Sequence, residues 1–393
     1  MISHVNQFIN LESKKFFTVP RPLSNELLSS WLIRVAMAHD TQPRSFMNIH
    51  FPKTNPSFWS KDVDIYWGNN FSFLSLLSYK SNIAISKLYQ MTLQSYSGYL
   101  SEKISINTQN KSITPIKNRG RTHHSYGTRF CPECISTDRI PYYRKQWRLS
   151  FVTCCINHQC YLQDRCPSCS KPITPYIVRE KEEYFHCNLC KYPIWKAPVQ
   201  QIPPNSYGVT AQNNLLSILN NGYFNFQQET YFSLAYFPVL HQISKLLYNG
   251  SLHLYAFNHE CLYTSKSLPK FNQKPSFYIE DSSIQNQYLI YSSAEYLLQS
   301  KGRMKQLCQA NHLGKGLLTH SMRYIPFWFS YIVTDNDTST YSVALEEIKS
   351  LIFYFEKNNI PINLKNLSKY LHTTLDSRKR PDIIKLIYIK NEI

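Results

Sequence analysis

The middle of the chain reads Cys131-Pro-Glu-Cys134, Cys155-Ile-Asn-His158, Cys166-Pro-Ser-Cys169 and Cys187-Asn-Leu-Cys190. Each of these four pairs holds two metal-binding side chains with two residues between them. That spacing lets a tight turn point both side chains at one tetrahedral ion. Nine of the eleven cysteines of the chain lie in this stretch. Four pairs supply eight ligands, so the pattern predicts two structural zinc ions per chain.

The distances along the chain favour pairing the ligands in sequence order. Seventeen residues separate Cys169 from Cys187, and twenty separate Cys134 from Cys155. The first value lies inside the range of about 15–20 that is typical of four-cysteine sites, and the second lies at its upper edge. The predicted ligand sets are therefore Cys131, Cys134, Cys155 and His158 for the first ion, and Cys166, Cys169, Cys187 and Cys190 for the second.

Other interpretations of these cysteines are weaker. Disulfides need an oxidising compartment, and the first twenty residues contain no apolar run of signal-peptide length. A catalytic zinc needs an open fourth position, whereas each predicted site has four protein ligands. Cys154 is the alternative to Cys155, but only Cys155 leaves a two-residue gap before His158. Cys160 and His186 are left over and are expected to be packing or surface residues.

Several motifs around these cysteines resemble one family. They include Phe130-Cys-Pro-Glu-Cys134, the run from Pro141 to Trp147, Cys155-Ile-Asn-His158, and Leu162-Gln-Asp-Arg-Cys166-Pro-Ser-Cys169. Upstream, Pro20-Arg-Pro-Leu-Ser24 through Arg34, Phe58-Trp-Ser-Lys-Asp62-Val-Asp64 and Tyr89-Gln-Met-Thr-Leu93 fit the same pattern. In order and spacing these motifs are similar to the TniQ family, the target-selection proteins of Tn7-like transposons, over about residues 17–175.

The resemblance implies a target-selection adaptor in DNA transposition. Such a protein links a target recogniser, in some elements a CRISPR RNA-guided Cascade-type complex, to the transposon's AAA+ ATPase regulator of the TnsC type and to the transposase. Docking on the recogniser as a homodimer is part of what the family implies. The alternative is a TnsD-like protein that binds an attachment site by itself. The resemblance places the protein in the bacterial cytoplasm with the nucleoid.

The charge of the chain indicates a polyanionic partner. The chain has 393 residues, 43 Lys or Arg against 25 Asp or Glu, and a net charge of +18. Residues 101–150 hold ten basic and three acidic residues, and residues 365–385 hold six and two. Because no apolar run approaches the roughly 18 residues of a membrane-spanning helix, we expect DNA rather than a membrane. The candidate phosphate contacts are Lys117, Arg119, Arg121, Lys365, Lys369, Arg378, Lys379 and Arg380.

The sequence predicts a mainly α fold with a central, small α/β double zinc-finger module that is zinc-ribbon-like. Helix-turn-helix-type helical domains are expected on either side, so the predicted domains are residues 1–125, 126–200 and 201–393. Within them, Ser24 is expected to cap a helix through about His39, residues 50–70 to form a loop, and the alternating Trp147, Leu149 and Phe151 to form a strand.

Three places are candidates for helix-turn-helix units. The first is the pair of helices on either side of Asn82; the second is the segment from Met304 to Gly316, in a longer helical region that starts at Ala294. The third is the segment from Asn363 to His372. In each case ordinary packed helices are the alternative. No phosphate-cradling glycine loop, metalloprotease histidine pair or nucleophile triad is present, so we expect no enzymatic activity. Asp62 and Asp64 lack a third acidic partner and are expected to anchor a loop.

Overall fold

The computed structural model describes residues 14–52, 58–116, 127–178, 184–203, 206–249, 278–310, 315–320, 322, 324–333, 343–371, 375 and 381–391. These residues are mainly α-helical, as predicted, and they include two small two-stranded sheets. The chain divides into two compact units, Met1–Ser95 with Ile104–Ile202, and Tyr96–Lys103 with Pro203–Ile393. The three domains proposed from the sequence stay a prediction.

The first unit begins with helices and ends with the cysteine-rich region. Its helices are α1 (Leu28–Ala38), α2 (Pro43–His50), α3 (Val63–Tyr66), α4 (Phe71–Ser81), α5 (Ile85–Gln90) and α6 (Pro132–Thr137). Its strands β1 (Cys154–Cys155) and β2 (Cys160–Tyr161) form an antiparallel hairpin in which Cys155 pairs with Cys160. Short 3₁₀ helices cover Phe58–Ser60, Trp67–Asn69, Lys145–Arg148 and Ile194–Lys196.

The apolar face of α1 is the centre of the core of this unit. Leu28, Trp31, Leu32 and Val35 recur at helical spacing, and all four are buried. They share one cluster with Phe46 of α2 and with aromatic and aliphatic residues of α3 to α5. The buried indole of Trp31 keeps its polar atom satisfied by donating from Nε1 to the Pro20 carbonyl at 2.8 Å.

The predicted cap of α1 is wrong. The helix begins at Leu28 instead of just after Ser24, and its N-cap, Leu27, makes no side-chain hydrogen bond. The preceding residues instead form a bridge in which Glu26 pairs with Arg144. The Glu26 carboxylate accepts hydrogen bonds from the Leu23 amide and from Arg34. Ser24 and Asn25 form a turn, with Asn25 at a φ of 54°, and the long-range pairing of Glu26 with Arg144 holds the backbone that follows. This pairing overrides the local capping preference of Ser24.

Residues 58–70 are helical rather than a loop, which corrects the second local prediction. Asp62 is the N-cap of α3 and accepts a hydrogen bond from the Asp64 amide. Asn70 caps α4 in the same way through the Phe73 amide. Prolines at positions 52 and 56 favoured an irregular segment through residue 70, but the capping residues Asp62 and Asn70 each start a helix farther along; residues 53–57 lie outside the described residues.

The strand predicted through Trp147, Leu149 and Phe151 is also wrong. Lys145–Arg148 form a 3₁₀ helix, and only Leu149 makes a strand-like bridge, to Ile113. Alternation of apolar residues cannot distinguish a strand from a tight turn whose side chains are all buried. Here Trp147, Leu149 and Phe151 are all fully buried.

In the described residues of the second unit, the regular structure consists of helices and one hairpin. Its helices are α7 (Tyr207–Asn221), α8 (Ser233–Tyr248), α9 (Ile284–Leu298), α10 (Lys301–Ala310), α11 (Lys315–Thr319), α12 (Phe327–Val333), α13 (Leu345–Lys357), α14 (Leu364–Tyr370) and α15 (Pro381–Asn391). Strands β3 (Tyr223–Phe226) and β4 (Glu229–Phe232) pair antiparallel between α7 and α8. Gly222 ends α7 at a φ of 81°, the left-handed conformation that favours glycine.

The segment from Ala294 to Ala310, predicted as one helical region, is two helices. It is divided at Gln299 and Ser300, where the α9 backbone ends. Farther along, α13, α14 and α15 share a small core that includes Ile348, Phe355, Leu367 and Ile383. No helix in the described residues is both long and apolar enough to cross a membrane.

Candidate metal centres

The first group of possible ligands, here called the first cluster, consists of Cys131, Cys134, Cys155 and His158. Their ligand atoms all lie within 4.8 Å of one another. Cys131 is the N-cap of α6 and Cys134 lies in its first turn, so the helix start brings these two sulphur atoms together. Cys155 lies on β1, and His158 lies in the turn that joins β1 to β2. The structure thus brings together the four residues that spacing assigned to the first ion.

The distances in the first cluster fit a tetrahedral zinc ion. Nδ1 of His158 lies 3.5 Å from Sγ of Cys131, 3.3 Å from Sγ of Cys134 and 3.4 Å from Sγ of Cys155. The sulphur atoms of Cys134 and Cys155 are 3.5 Å apart. Zinc–sulphur bonds of about 2.3 Å in a tetrahedron place ligand atoms roughly 3.5–3.8 Å apart. An S–S bond is about 2.05 Å, so these contacts are too long for disulfides.

The chemistry of the sulphur atoms also fits a divalent cation. The hydrogen bond to Cys134 lowers the pKa of Cys131 well below its usual value, and the same bond raises the pKa of Cys134 well above it. Without a cation between them, the Cys134 thiol therefore keeps its proton and donates it to the Cys131 thiolate. A zinc ion removes this conflict because it stabilises several thiolates at once.

The second cluster consists of Cys166, Cys169, Cys187 and Cys190, whose sulphur atoms also lie within 4.8 Å of one another. Sγ of Cys166 is 3.5 Å from Sγ of Cys190, and Sγ of Cys169 is 3.6 Å from Sγ of Cys187. The set is again the one assigned from spacing. Cys190 is exposed, and the backbone amide of Tyr192 lowers the pKa of its thiol to about 7. The lowered pKa favours the thiolate that binds metal.

The two halves of the second cluster have the same backbone. In the first half, the amide of Cys166 donates to Lys171 O, and the amide of Ser170 donates to Cys166 O. In the second half, Cys187 donates to Tyr192 O and Lys191 to Cys187 O. Ser170 and Lys191 each have a positive φ, of 58° and 60°. Two matching turns that face each other are the arrangement expected of a four-cysteine zinc site.

The remaining cysteines of this region lie outside both clusters. Cys154 is buried, and its burial raises the pKa of its thiol to about 12, so the side chain stays protonated. Cys160 is different, because its sulphur lies 3.6 Å from that of Cys131, within hydrogen-bonding distance. Spacing left Cys160 without a role. The hairpin register that pairs it with Cys155 places it beside the first cluster.

Several basic residues between positions 101 and 150 form hydrogen bonds or ion pairs inside the first unit. Arg129 is buried and donates to the carbonyls of Leu149 and Val152. Arg144 pairs with Asp138. Lys145 donates from Nζ to Gln90 O, and Arg148 forms ion pairs with Asp62 and Asp64. Among the described residues between 101 and 150, at least these four basic side chains have intramolecular partners, so the charge available for a nucleic acid is smaller than the sequence count suggests.

Six of the eight predicted phosphate contacts lie outside the described residues: Lys117, Arg119, Arg121, Arg378, Lys379 and Arg380. Lys365 and Lys369 are described, and both are exposed on α14. They lie four residues apart, so they share one face of that helix.

Asp62 and Asp64 anchor the start of α3. Asp64 accepts hydrogen bonds at 2.8 Å from the amide and the hydroxyl of Ser29, and both carboxylates pair with Arg148. Burial raises the pKa of Asp64 to about 6, with Asp62 adding to the effect and Arg148 opposing it. The group connects the helical part of the unit to the segment between the cysteine pairs.

A comparison with family models identifies residues 17–162 as TniQ. The matched range contains the whole first cluster and ends before Cys166, where the second cluster begins. No curated protein matches the chain. The match agrees with the motifs noted in the sequence from Pro20 to Leu162, and the chain carries a TniQ domain over residues 17–162.

Proposed function

We propose that this protein is a target-selection adaptor in DNA transposition. The observation that carries the proposal is the TniQ domain, which implies a role in target selection. In the proposed mechanism the chain binds a target recogniser and recruits the transposon's AAA+ ATPase regulator, which positions the transposase. A CRISPR Cascade-type complex is the proposed recogniser, and a homodimer is the proposed bound form.

The proposed double zinc-finger module is the rigid part of this adaptor. Each cluster holds one structural zinc ion, two per chain, through the eight residues named above. A region with so many short turns has little apolar core of its own, so the metal–ligand bonds supply much of its folding energy. Because each ion has four protein ligands, the module holds shape and performs no chemistry. We extend this to the chain as a whole and propose that it has no strand-transfer or nuclease activity.

The competing function is a DNA-binding protein that recognises an attachment site alone. The α13–α15 helices, with exposed Lys365 and Lys369 on α14, are the part of the described chain that favours it. In that version α14 acts as the recognition helix of a helix-turn-helix unit. The internal ion pairs of Arg144 and Arg148 favour the adaptor, since they reduce the charge free to contact phosphates.

A transposition assay in cells tests the adaptor directly. A strain with the complete transposon machinery but without this gene is complemented with the wild-type chain, with Cys134→Ser, or with the matched control Cys308→Ser. Cys308 lies outside both clusters, so its variant should support wild-type transposition. The adaptor proposal expects no targeted insertion without the gene or with Cys134→Ser. Undiminished targeted insertion without the gene would refute it.

Binding of the purified chain to DNA separates the two functions. An adaptor should bind random and target duplexes alike, with an affinity that falls steeply with salt. A protein that recognises its site alone should bind one sequence roughly a thousandfold more tightly than random duplex. A sequence preference of that size that disappears in the Lys365→Ala/Lys369→Ala variant would favour the attachment-site function over the adaptor function. Replacing Arg119 and Arg121 with alanine should weaken all sequences equally if they contact phosphates.

A further inference from the structure

An open cavity of about 660 Å³ lies in the second unit, and its lining contains no residue of either cluster. Its walls come from the end of α7, the β3–β4 hairpin, one face of α13 and the segment around Tyr99. The volume is within the range of about 300–1,000 Å³ that is common for small-ligand sites. Gly98 and Tyr99 at its wall lie inside the TniQ match, whereas the other lining residues, from Asn220 onward, lie beyond it.

The face of α13 that lines the cavity carries a repeating pattern. Lys349, Phe353 and Lys357 recur at every fourth residue, so they form one stripe along the helix. Phe353 is 55% exposed despite its apolar ring. The two lysines lie about 12 Å apart along the helix axis, one on each side of the ring. Such a stripe presents a flat apolar surface between two cations.

Aromatic rings continue across the cavity. Tyr223 on β3 is 39% exposed at its wall. Tyr99 packs over Gly222, where an added Cβ would lie 3.1 Å from the tyrosine ring. Ser233 holds this segment in place by donating from Oγ to Tyr99 O at 2.9 Å. Tyr354 and Phe232 contact each other edge to face, at 5.9 Å between centroids, and join the hairpin to α13.

The polar atoms of the cavity suit an anionic ligand with hydroxyl groups. Among the described residues that line it, none is acidic, and two are lysines. Asparagines supply most of the rim. Asn358 donates from Nδ2 to Tyr354 O and keeps Oδ1 as an acceptor. Asn225 accepts from Thr230 and keeps Nδ2 as a donor.

We propose that this cavity binds single-stranded RNA, with unpaired bases on Phe353 and Tyr223 and phosphates on Lys349 and Lys357. Exposed aromatic rings bind unpaired bases by stacking, a contact that duplex DNA cannot offer because its bases are already stacked. The rim provides both a hydrogen-bond donor and an acceptor for the ribose 2′-hydroxyl, which distinguishes RNA from DNA. An acidic peptide would match the lysines but would leave the aromatic rings unused. The inference does not depend on the adaptor function.

The test is fluorescence anisotropy with the full-length protein and a labelled eight-nucleotide RNA of mixed sequence. Phe353→Leu and Tyr223→Leu keep an apolar side chain but remove the flat ring, and each should weaken binding about 5- to 150-fold. Phe353→Tyr keeps the ring and should bind like wild type. Tyr388→Leu is the matched control, since Tyr388 is an exposed aromatic residue on α15 outside the cavity.

The salt dependence tests the lysines separately. In Lys349→Ala/Lys357→Ala the slope of log affinity on log salt should fall by about 1.4, because each single-strand phosphate contact contributes about 0.7. The Lys349→Arg/Lys357→Arg variant keeps both charges and should keep the slope. Single-stranded DNA of the same sequence should bind more weakly than the RNA.

Three results would overturn the proposal. They are equal affinity for RNA and for duplex or single-stranded DNA, binding unaffected by Phe353→Leu and Tyr223→Leu, and displacement of the RNA by polyglutamate as effectively as by unlabelled RNA. Circular dichroism of each variant should match wild type, so that a lost fold is not mistaken for a lost contact. A cavity variant that fails this check is replaced by Phe353→Tyr/Lys349→Ala/Lys357→Ala, which leaves the ring and tests the charge alone.

Discussion

Replacing Arg148 with methionine should destabilise the first unit more than any surface substitution nearby. The guanidinium is 2% exposed and has two carboxylates around it, of which Asp64 is equally buried. Its Nη1 lies 3.3 Å from Asp62 Oδ1 and 3.5 Å from Asp64 Oδ2, and its Nη2 also donates to Thr114 O. Methionine fills a similar volume but leaves both carboxylates without a cation.

The magnitude follows from the cost of a buried charge without a partner. Removing one member of a buried ion pair costs about 3–5 kcal/mol. Part of this is recovered because Asp64 still accepts two hydrogen bonds from Ser29 and takes up a proton more easily. We expect a loss of about 3 kcal/mol at pH 7.5, which lowers the melting temperature by roughly 6–12 °C in a unit of this size. At pH 5 the loss should be smaller, since protonation removes the unpaired charges.

Urea unfolding of the zinc-loaded protein, followed by tryptophan fluorescence, measures this effect. Arg139→Met is the matched control, because Arg139 is exposed and its change should stay within about 0.5 kcal/mol. The Asp62→Asn/Asp64→Asn/Arg148→Met variant removes the whole group of charges and should be more stable than Arg148→Met alone. If the single variant lost less than about 1 kcal/mol, or if the triple variant were the less stable of the two, the assigned role of Arg148 would be wrong.

Three further predictions concern the metal and the pH. Metal analysis should find about two zinc ions per wild-type chain and about two in the Cys308→Ser control. The Cys169→Ser variant should bind about one. Wild-type protein with intact thiols and no zinc would contradict both sites. In a chelator competition, Cys160→Ala should weaken zinc binding at the first cluster about 10- to 100-fold, because the contact between Cys160 and Cys131 is lost. An unchanged zinc affinity would mean that Cys160 only fills space in the core. The raised pKa of Asp64 stabilises the protein below about pH 4, and this contribution is lost as the pH rises through about 6. The free energy of unfolding of wild type relative to Asp64→Asn should therefore fall by about 1 kcal/mol from pH 5 to 7.5, and a rise would contradict the assigned direction.

The sequence was most informative where a short spacing has only one structural solution. Two ligands separated by two residues require a turn, and the grouping of Cys166 with Cys190 followed from spacing alone. The apolar face of α1 was predictable for the same reason, since helical periodicity is local. The position of Cys160 beside the first cluster was not predictable. It depends on the register of the β1–β2 hairpin, whose strands are only two residues long.

The error at the start of α1 involves a long-range contact that overrides local preference. Ser24 has the chemistry of a helix cap, but it lies in a turn, and the next residues are held by the pairing of Glu26 with Arg144, more than a hundred residues away. Trp147 and Leu149 alternate like a strand, yet Trp147 lies in the 3₁₀ helix Lys145–Arg148 and Leu149 directly follows it, and both side chains are buried. The hairpin between α7 and α8 was missed because its turn is formed by Gln227 and Gln228, which adopt positive φ values of 51° and 68° although glutamine is not a typical turn residue.

The structure also changes what the net charge of +18 means for binding. Between residues 101 and 150, Arg129, Arg144, Lys145 and Arg148 each donate to carbonyls or carboxylates of the same unit. Carboxylates offset the charges of Arg144 and Arg148, and the side chains of Arg129 and Lys145 are held by carbonyl oxygens, so none of the four is free to turn toward a phosphate. The lysines of α13 and α14 have a different setting, because they lie exposed on helix faces. Charge counted from sequence therefore overstates the nucleic-acid affinity of the cysteine-rich region, and the exposed lysines of the second unit are the better place to measure it.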